Sequence, residues 1–408
     1  MREAHGHRPA GGLRSVPRTV WALGLVSLFM DISSEMIHSL LPVFLVTTLG
    51  ASPALLGLIE GVAEATASIT KVFSGWISDR LRRRKLLVLL GYGLAAITKP
   101  VFPLAVTPLE VLGARFADRI GKGLRDAPRD ALVADVTPDG ARGAAYGLRQ
   151  ALDTVGAVAG PLAAVALMAA LNDNMRAVFG FAIIPAVVAV LLIVWGVDDR
   201  AAPHASPAAR APIAWSELQA IGAPFWVAVA VGALFTMARF SEAFLVLRGA
   251  NAGIPLMFVP FVLITMNLVY AAVAAPAGAL SDRWGRKAPL ALGMAVLIAA
   301  DIVLALRADI PGVILGVALW GLHLGLTQGL LAALVADTAP ARLRGTAFGL
   351  FNLATGLALL LASALAGAIW SARGASLTFV AGGGFAVIAL IGLLALMKDR
   401  PVVAGPPA

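Results

Sequence analysis

Apolar segments long enough to cross a membrane recur along almost the whole chain, and they constrain its fold more than any other feature. A helix needs about 20 apolar residues to span a hydrocarbon core of about 30 Å. Such segments begin near Val20, Pro53, Leu86, Leu109, Gly143, Arg176, Ala220, Ile254, Ala288, Ile310, Gly345 and Ser376. We therefore predict an all-α polytopic membrane protein with about twelve transmembrane helices in two sets of six.

The composition agrees with lipid as the main solvent. Charged residues make up 13% of the 408 positions and hydrophobic residues 59%, whereas soluble domains carry about 25% charged residues. The chain has no cysteine, which excludes disulfides and thiolate metal sites. Its net charge is +9, but no basic stretch is interleaved with aromatic residues as in single-strand binders, so we predict no nucleic-acid partner.

Basic residues cluster in alternate loops and predict the orientation. Arg80–Lys85, Arg142, Arg283–Lys287 and Arg344 lie in loops on one side, which the positive-inside rule places in the cytoplasm. Both termini are then cytoplasmic, and we predict a bacterial inner-membrane protein. The predicted division is an N-terminal tail (1–19), a first six-helix bundle (20–197), a linker (198–217), a second bundle (218–397) and a C-terminal tail (398–408).

The two halves repeat each other. Gly75-Trp-Ile-Ser-Asp-Arg80 recurs as Gly278-Ala-Leu-Ser-Asp-Arg283, an offset of 203 residues. Leu132-Val-Ala-Asp135 recurs as Leu334-Val-Ala-Asp337, an offset of 202 residues. Because each half contains an even number of spans, both copies have the same orientation and form a parallel repeat.

The repeated loop carries a family resemblance. Gly278-x-x-x-Asp282-Arg283-x-Gly285-Arg286-Lys287 resembles the signature loop between the second and third helices of each half in the major facilitator superfamily. The first copy, Gly75 to Lys85, has Arg82 where the family usually has glycine. The resemblance implies two six-helix bundles around a central cavity, a small-molecule substrate bound near the midplane, access that alternates as the halves rock, and function as a monomer without a cofactor.

The fifth span carries a second resemblance. Gly147, Gly156, Gly160 and Pro161 are spaced as in the fifth-helix motif of proton-driven efflux antiporters, although Ala164-Val165 replaces the usual closing Gly-Gly. Arg115 matches the family's arginine-bearing fourth helix loosely. Small residues permit close helix approach and proline bends a helix. Simple packing and an antiporter hinge therefore both remain open for this segment.

The two copies of the repeated loop predict a gate at the cytoplasmic ends of the helices. A carboxylate at a helix end can meet the positive N-terminus of a neighbouring helix, and the adjacent arginines can pair with acids across the interface between halves. Such contacts form in one conformation and break in the other. The predicted gate residues are Gly75, Asp79, Arg80, Arg142, Gly278, Asp282, Arg283 and Arg344. The alternative is that these loops only set the topology.

Ionisable groups within the spans predict where the chemistry takes place. Each costs about 2.5–3.5 kcal/mol at bilayer depth, so such groups usually face a cavity. Asp31, Glu35 and His38 lie at i, i+4 and i+7 and share one helix face. They form the proton-coupling and cavity set together with Glu60 and Glu64. The candidate substrate-binding residues are Arg115, Arg119, Lys122, Arg125, Arg149, Asp153, Arg239, Glu242 and His323.

Three interpretations of these charges stay open. Burial disfavours the charged form of a carboxylate, which suits Asp31 or Glu35 to carry a proton. The basic residues of the fourth span favour an anionic ligand, or they form a structural ion-pair network. Asp31, Glu35 and His38 could also hold a divalent metal, but we assign no metal site.

The sequence thus favours a secondary transporter that couples proton movement to export of a small anionic or zwitterionic solute. An alternative is a proton-coupled importer of an organic acid or metal chelate. A non-transporting membrane sensor is an alternative of another class. We predict no enzymatic activity, because the chain contains no Gly-x-Ser-x-Gly, no His-Glu-x-x-His and no phosphate-binding loop.

Overall fold

The computed structural model describes residues 15–81, 83–138, 141–198, 222–340 and 343–396, without the side chains of residues 76, 79, 279, 282–284, 332, 344 and 345. The predicted tails and linker fall almost entirely outside these ranges. The described residues form twelve long helical segments, six on each side of the gap from 199 to 221. They are α1 (Arg18–Thr48), α2 (Pro53–Leu81), α3 (Arg84–Leu104), α4 (Pro108–Val136), α5 (Arg142–Ala170), α6 (Met175–Gly196), α7 (Ala223–Asn251), α8 (Phe261–Trp284), α9 (Lys287–Leu306), α10 (Ile310–Thr338), α11 (Arg344–Arg373) and α12 (Ala375–Leu396).

These helices confirm the predicted all-α polytopic architecture. Ten of the twelve described segments are long and apolar enough to cross a membrane. The other two, α2 and α4, have the length, but their charged side chains lower their hydropathy. A buried charge needs a partner, so these two helices are candidates to form a functional site.

Local sequence signals explain several helix boundaries. Thr107 and Glu110 form a capping box at the start of α4, in which the Glu110 carboxylate accepts a hydrogen bond from the Thr107 amide at 3.1 Å. Gly285 precedes α9 with φ of 76°, a left-handed conformation that glycine adopts without strain. Glycine therefore occupies this position of the signature loop for a backbone reason.

Equivalent helices pack alike in the two halves, as the internal repeat predicts. In the first half α4 packs against α2 and α3, and in the second half α10 packs against α8 and α9. An ion pair marks the correspondence. Arg84 lies 2.5 Å from Asp135 between α3 and α4, and Arg286 pairs with Asp337 between α9 and α10. The two arginines are 202 residues apart in the sequence, and so are the two aspartates.

The two halves meet mainly through α2 and α11, and next through α5 and α8. The α2–α11 interface, which we call the glycine seam, brings backbone against backbone. A Cβ added to Gly57 would lie 2.1 Å from the Ser363 carbonyl oxygen, and one added to Gly367 would lie 2.4 Å from that of Pro53. Glycine is thus required at the points of closest approach.

The two halves also touch at one end of the bundle through helices other than the glycine seam. We call the end that carries Arg84 and Lys287 the basic end. At the opposite end the Ala54 amide donates to Ser371 Oγ at 2.9 Å, and the segment Leu41–Val43 of α1 contacts Ala243–Asn251 of α7. The two halves are therefore in contact at the end opposite the basic loops.

Helix α7 is interrupted near its middle. Its first part, Ala223–Ala238, and its second part, Ala243–Asn251, are separated by a non-helical turn. The Ser241 amide in this turn donates to Ser363 Oγ of α11 at 3.1 Å. Discontinuous helices often mark the binding site of a membrane transporter, and this break carries Arg239 and Glu242.

The orientation remains a prediction that a reporter can test. We expect a reporter fused after Lys398 to stay in the cytoplasm, because the basic loops lie at the same end as both termini. Alkaline phosphatase and green fluorescent protein fusions, which are active on opposite sides, give the readout. A fusion at Ala252, which follows α7 at the opposite end, is the matched control and should give the opposite signal. Export of the reporter after Lys398 would contradict the topology.

Candidate functional site

Two buried ion pairs join α2 to α4. Glu60 pairs with Arg115, and both side chains are almost fully buried, with 1% and 5% of their surfaces exposed. One helical turn towards the basic end, Glu64 lies 3.4 Å from Arg119. Each acid is thereby matched by a base from the neighbouring helix, as buried charges require. These four predicted site residues are brought together, but as pairs that neutralise one another.

A third buried pair extends this network to α3. Lys99 Nζ lies 3.1 Å from the Asp118 carboxylate and also donates to Ser34 Oγ at 3.0 Å. Asp118 in turn lies 3.9 Å from Arg119. The sequence analysis missed Lys99 because it stands before Pro100 at the end of a span, where lysine usually extends towards water. Here its ammonium group holds α1, α3 and α4 together.

A second network lies nearer the basic end, between α4 and α5. Arg129 contacts Asp130 at 3.3 Å and donates to Ser27 Oγ at 3.1 Å and to Tyr92 Oη at 3.2 Å. Arg149 pairs with Asp153 one turn along α5 at 2.7 Å. The Arg125 guanidinium stacks over the ring of Tyr92 at 4.2 Å. The predicted substrate-binding residues Arg149 and Asp153 are therefore paired with each other, whereas Arg125 has a ring contact but no ion pair among the described residues.

The acidic face of α1 lies directly against the glycines of α5. A Cβ added to Gly156 would lie 2.8 Å from Asp31 Cβ, and one added to Gly160 would lie 2.7 Å from Glu35 Cβ. The helices approach this closely because both positions lack a side chain. Gly147 differs, since nothing lies within 4 Å of its added Cβ. The antiporter-like motif thus places two of its glycines at the backbones that carry Asp31 and Glu35.

This contrast between the α5 glycines gives a prediction. Gly160→Ala should lower the stability of the folded protein by about 1–3 kcal/mol, because the new methyl group meets Glu35 Cβ and the Ile32 backbone. Gly147→Ala, the matched control, should be neutral or slightly stabilising because alanine favours helix. Thermal unfolding in detergent measures both. Equal effects of the two substitutions would show that close α1–α5 contact does not matter.

Five partly exposed charged residues of the predicted site have no ion-pair partner among the residues that the structure describes. In the described part of the structure, no ion pair within 4.0 Å and no side-chain hydrogen bond is formed by Asp31, Glu35, Lys122, Arg239 or Glu242. All five are partly exposed. They come from α1, α4 and the break in α7, so they include groups from both halves of the molecule.

These unpaired groups interact with one another through space. Lys122 interacts electrostatically with Asp31, Glu35 and Glu242. Glu35 and Glu242, on opposite halves, also interact electrostatically. Arg239 stacks over Phe235, with its guanidinium 5.6 Å from the ring centre. Unpaired groups of both signs thus surround the region between α1, α4 and α7, and a polar solute there could replace their missing partners.

The two intramembrane histidines differ in their surroundings. His38 interacts electrostatically with Glu60 and Arg115. His323 has no exposed surface and lies between the rings of Trp320 and Phe235, at 5.3 and 6.2 Å. We therefore leave His323 out of the proposed substrate contacts. The described residues contain no group of three or more His, Asp or Glu close enough to hold a metal ion, so the metal alternative for Asp31, Glu35 and His38 gains no geometric support.

The predicted gate is described only in part. Arg80 and Arg142 are exposed at the basic end, near the end of α2 and the start of α5. Gly75 and Gly278 lie within α2 and α8 and have no close neighbour that would forbid a side chain. The side chains of Asp79, Asp282, Arg283 and Arg344 lie outside the described part. The gate therefore stays a prediction.

The fold and this charged centre can now be compared with known proteins. The family model of the Major Facilitator Superfamily matches residues 23–266 and 249–408. The chain belongs to the Major Facilitator Superfamily. Curated relatives include an uncharacterized MFS-type transporter of Methanocaldococcus jannaschii, 31% identical over 389 residues that cover 94% of this chain and 95% of that protein. The inner membrane transport protein YajR of Escherichia coli is 23% identical over 412 residues, 95% of this chain and 84% of that protein.

Solved structures of superfamily transporters share this architecture. A bacterial homologue of the human lysosomal transporter Spinster, in an inward-facing and unoccupied conformation, gives a TM-score of 0.78 over 98% of this chain and 100% of that chain, at 18% identity. Other structures with this fold include transporters of nucleosides and of peptides. At such low identity the likeness shows the fold alone and does not indicate the substrate of this superfamily member.

Proposed function

We propose that this superfamily member is a proton-coupled secondary transporter that exports a small anionic or zwitterionic solute by alternating access. The observation that carries the proposal is the division of its intramembrane charges. Glu60, Glu64, Lys99 and Asp153 have charged partners, whereas Asp31, Glu35 and Glu242 have no bonded partner in the described part of the chain and interact with Lys122 only through space. A membrane protein retains unpaired charges at depth where a solute or an ion completes them.

The carboxylates supply the proton sites of this proposal. Asp31 and Glu35 lie on the face of α1 that packs against α5 and remain partly exposed. A partly buried carboxylate without a counter-charge gains by binding a proton. It can pass this proton to either side of the membrane only if the conformation alternates. Rocking of the two halves about their interface would provide that alternation.

The charges also indicate what the solute carries. Lys122 and Arg239 offer positive charge to an acidic group, and Glu35 and Glu242 offer negative charge from both halves. A solute with an amino group competes with protons for these carboxylates, which gives antiport. A purely anionic solute instead binds best when the carboxylates are protonated, which gives symport and favours the importer alternative. The export proposal therefore goes with a zwitterion.

The state and location fit the same proposal. Contact between the halves at the end opposite the basic loops is what an inward-open transporter would have if those loops are cytoplasmic. The Escherichia coli relative is an inner membrane transport protein, which supports the same location here. Rocking about the interface between the halves of one chain would suffice, so we propose function as a monomer with protons, solute and lipid as its only partners.

Proton release from inside-out vesicles tests the proposed function. Vesicles holding a pH gradient should release protons when a zwitterion is added, because its ammonium group displaces protons from the carboxylates. Panels of organic anions, cationic drugs and divalent metals are added in the same way. Lys122→Gln should abolish the response to acid-bearing solutes, whereas Lys71→Gln, at an exposed position of α2, should not. Inward movement of labelled organic acid with protons would establish the importer instead, and binding without flux would establish the sensor.

A further inference from the structure

A buried acid in the second half takes no part in the proposed function. Asp301 lies in α9, where every other residue between Lys287 and Leu306 is uncharged. No part of its surface is exposed. Neither carboxyl oxygen has a hydrogen-bond partner in the described part of the structure. Such an acid needs an explanation, because burial without partners is costly for a charged group.

Asp301 lies next to the break in α7. A Cβ added to Gly382 of α12 would lie 2.9 Å from Asp301 Oδ2, 2.9 Å from Phe240 Cε1 and 3.4 Å from the Ala238 carbonyl oxygen. The neighbouring Gly383 is also close to Asp301, because a Cβ added to Gly383 would lie 3.5 Å from Asp301 Cβ. The carboxyl group thus fills a space between the interrupted helix α7 and two glycines of α12, where a larger residue on α12 would not fit.

No charge on the surrounding helices compensates Asp301. Helix α12 contains no titratable residue. On α7, Arg239 and Glu242 interact with each other, and on α10 His323 is enclosed by aromatic rings. Arg307 and Asp309, beyond the end of α9, pair with each other at 2.6 Å. With neither a counter-charge nor a donor nearby, this packing accepts the neutral, protonated carboxyl group and opposes the carboxylate.

We propose that Asp301 is a proton-binding site of the second half, separate from the acids of α1, and that its proton exchanges with water only when α9 and α12 move away from the break in α7. A cavity of about 10 Å³, room for about one water molecule, is bordered by Phe240 and Gly382, the same residues that enclose the acid. Separation of α12 from α7 would join this cavity to Asp301. The proton then passes between the carboxyl oxygen and water, and the conformation of the second half controls its release.

Infrared spectroscopy of the whole protein in lipid tests the proposal without any transport assay. The carbonyl stretch of a protonated aspartic acid should be present at neutral pH, and Asp301→Asn should remove it. Asp309→Asn, which changes an exposed carboxylate, is the matched control and should leave it in place. If Asp301→Asn does not fold, Gly382→Ala should shift the same band, because its methyl group meets Oδ2. Absence of a protonated band from the folded protein would overturn the proposal.

A second measurement tests the conformational control. The double variant Ala54→Cys/Ser371→Cys places the chain's first two thiols where an amide and a hydroxyl group are 2.9 Å apart, and oxidation should hold α2 and α11 together at this end. Exchange of the Asp301 proton for deuterium should then slow on the order of tenfold or more, because local opening is suppressed. Reduction of the disulfide should restore the rate in the same sample. Equal exchange rates in the oxidised and reduced forms would overturn the proposal that the conformation controls proton release from Asp301, whatever the variants of the α1 acids show.

Discussion

Glu60→Gln should lower the free energy of unfolding by about 3–5 kcal/mol, because it leaves a buried guanidinium without its counter-charge. Glu60 and Arg115 are both almost fully buried between α2 and α4. Water cannot reach the arginine to replace the lost partner, so the cost is paid by the folded state. Thermal unfolding in detergent, followed by size-exclusion chromatography, measures the loss. We expect no comparable effect on solute affinity in the protein that remains folded.

Two controls decide whether this pair is structural. The double variant Glu60→Gln/Arg115→Gln should recover most of the lost stability, since it removes both charges together. Asp309→Asn breaks the pair with Arg307, which is exposed, and should leave unfolding unchanged within error. If the single variant is as stable as the parent but fails to bind solute, Glu60 and Arg115 belong to the binding site and the pair is not a structural link.

Asp31→Asn and Glu35→Gln should both leave the protein folded, and at least one should reduce pH-driven flux to the background of empty vesicles. Each substitution keeps the size of the side chain, so the close contact between α1 and α5 is retained. Each removes a group that can bind and release a proton. Proton-coupled flux in vesicles with a pH gradient is the measurement.

The matched assay for this prediction is exchange of labelled solute without a gradient. Exchange needs alternating access but no net proton movement, so it should survive in the variant that has lost coupling. A carboxylate that serves only to hold α1 in place would affect both assays alike. If both single variants and the double variant transport normally, the proton is carried elsewhere, and Glu242 and Asp301 become the next residues to replace.

The sequence predicts the architecture well because its signals are local. Runs of apolar residues mark the helices, and the repeat marks the two halves, which the ion pairs Arg84–Asp135 and Arg286–Asp337 then confirm in space. The motif of α5 also places Gly156 and Gly160 at a close helix contact. Gly147 shares the motif but not the contact. The glycine pattern alone does not show which of these glycines lies at a close helix contact, because that depends on where the neighbouring helix lies.

The candidate site is less predictable because pairing is a property of distances between helices. Sequence order lists Arg115, Arg119 and Lys122 together, yet the first two meet acids of α2 and the third does not. The proximity of Glu35 to Glu242 depends on how one half sits against the other, which the repeat does not specify. Asp301 was missed although a signal existed, since a single acid in a long apolar run is itself informative.

The glycine seam between α2 and α11 has a consequence for the speed of the molecule. Gly57 and Gly367 carry no side chain to interlock with the facing backbone. We therefore expect the two helices to slide past each other more easily here than at an interface of large side chains. Residue size along it should set the rate of the conformational cycle independently of how tightly the solute is held. Relatives could then evolve faster or slower turnover through positions that never meet their cargo.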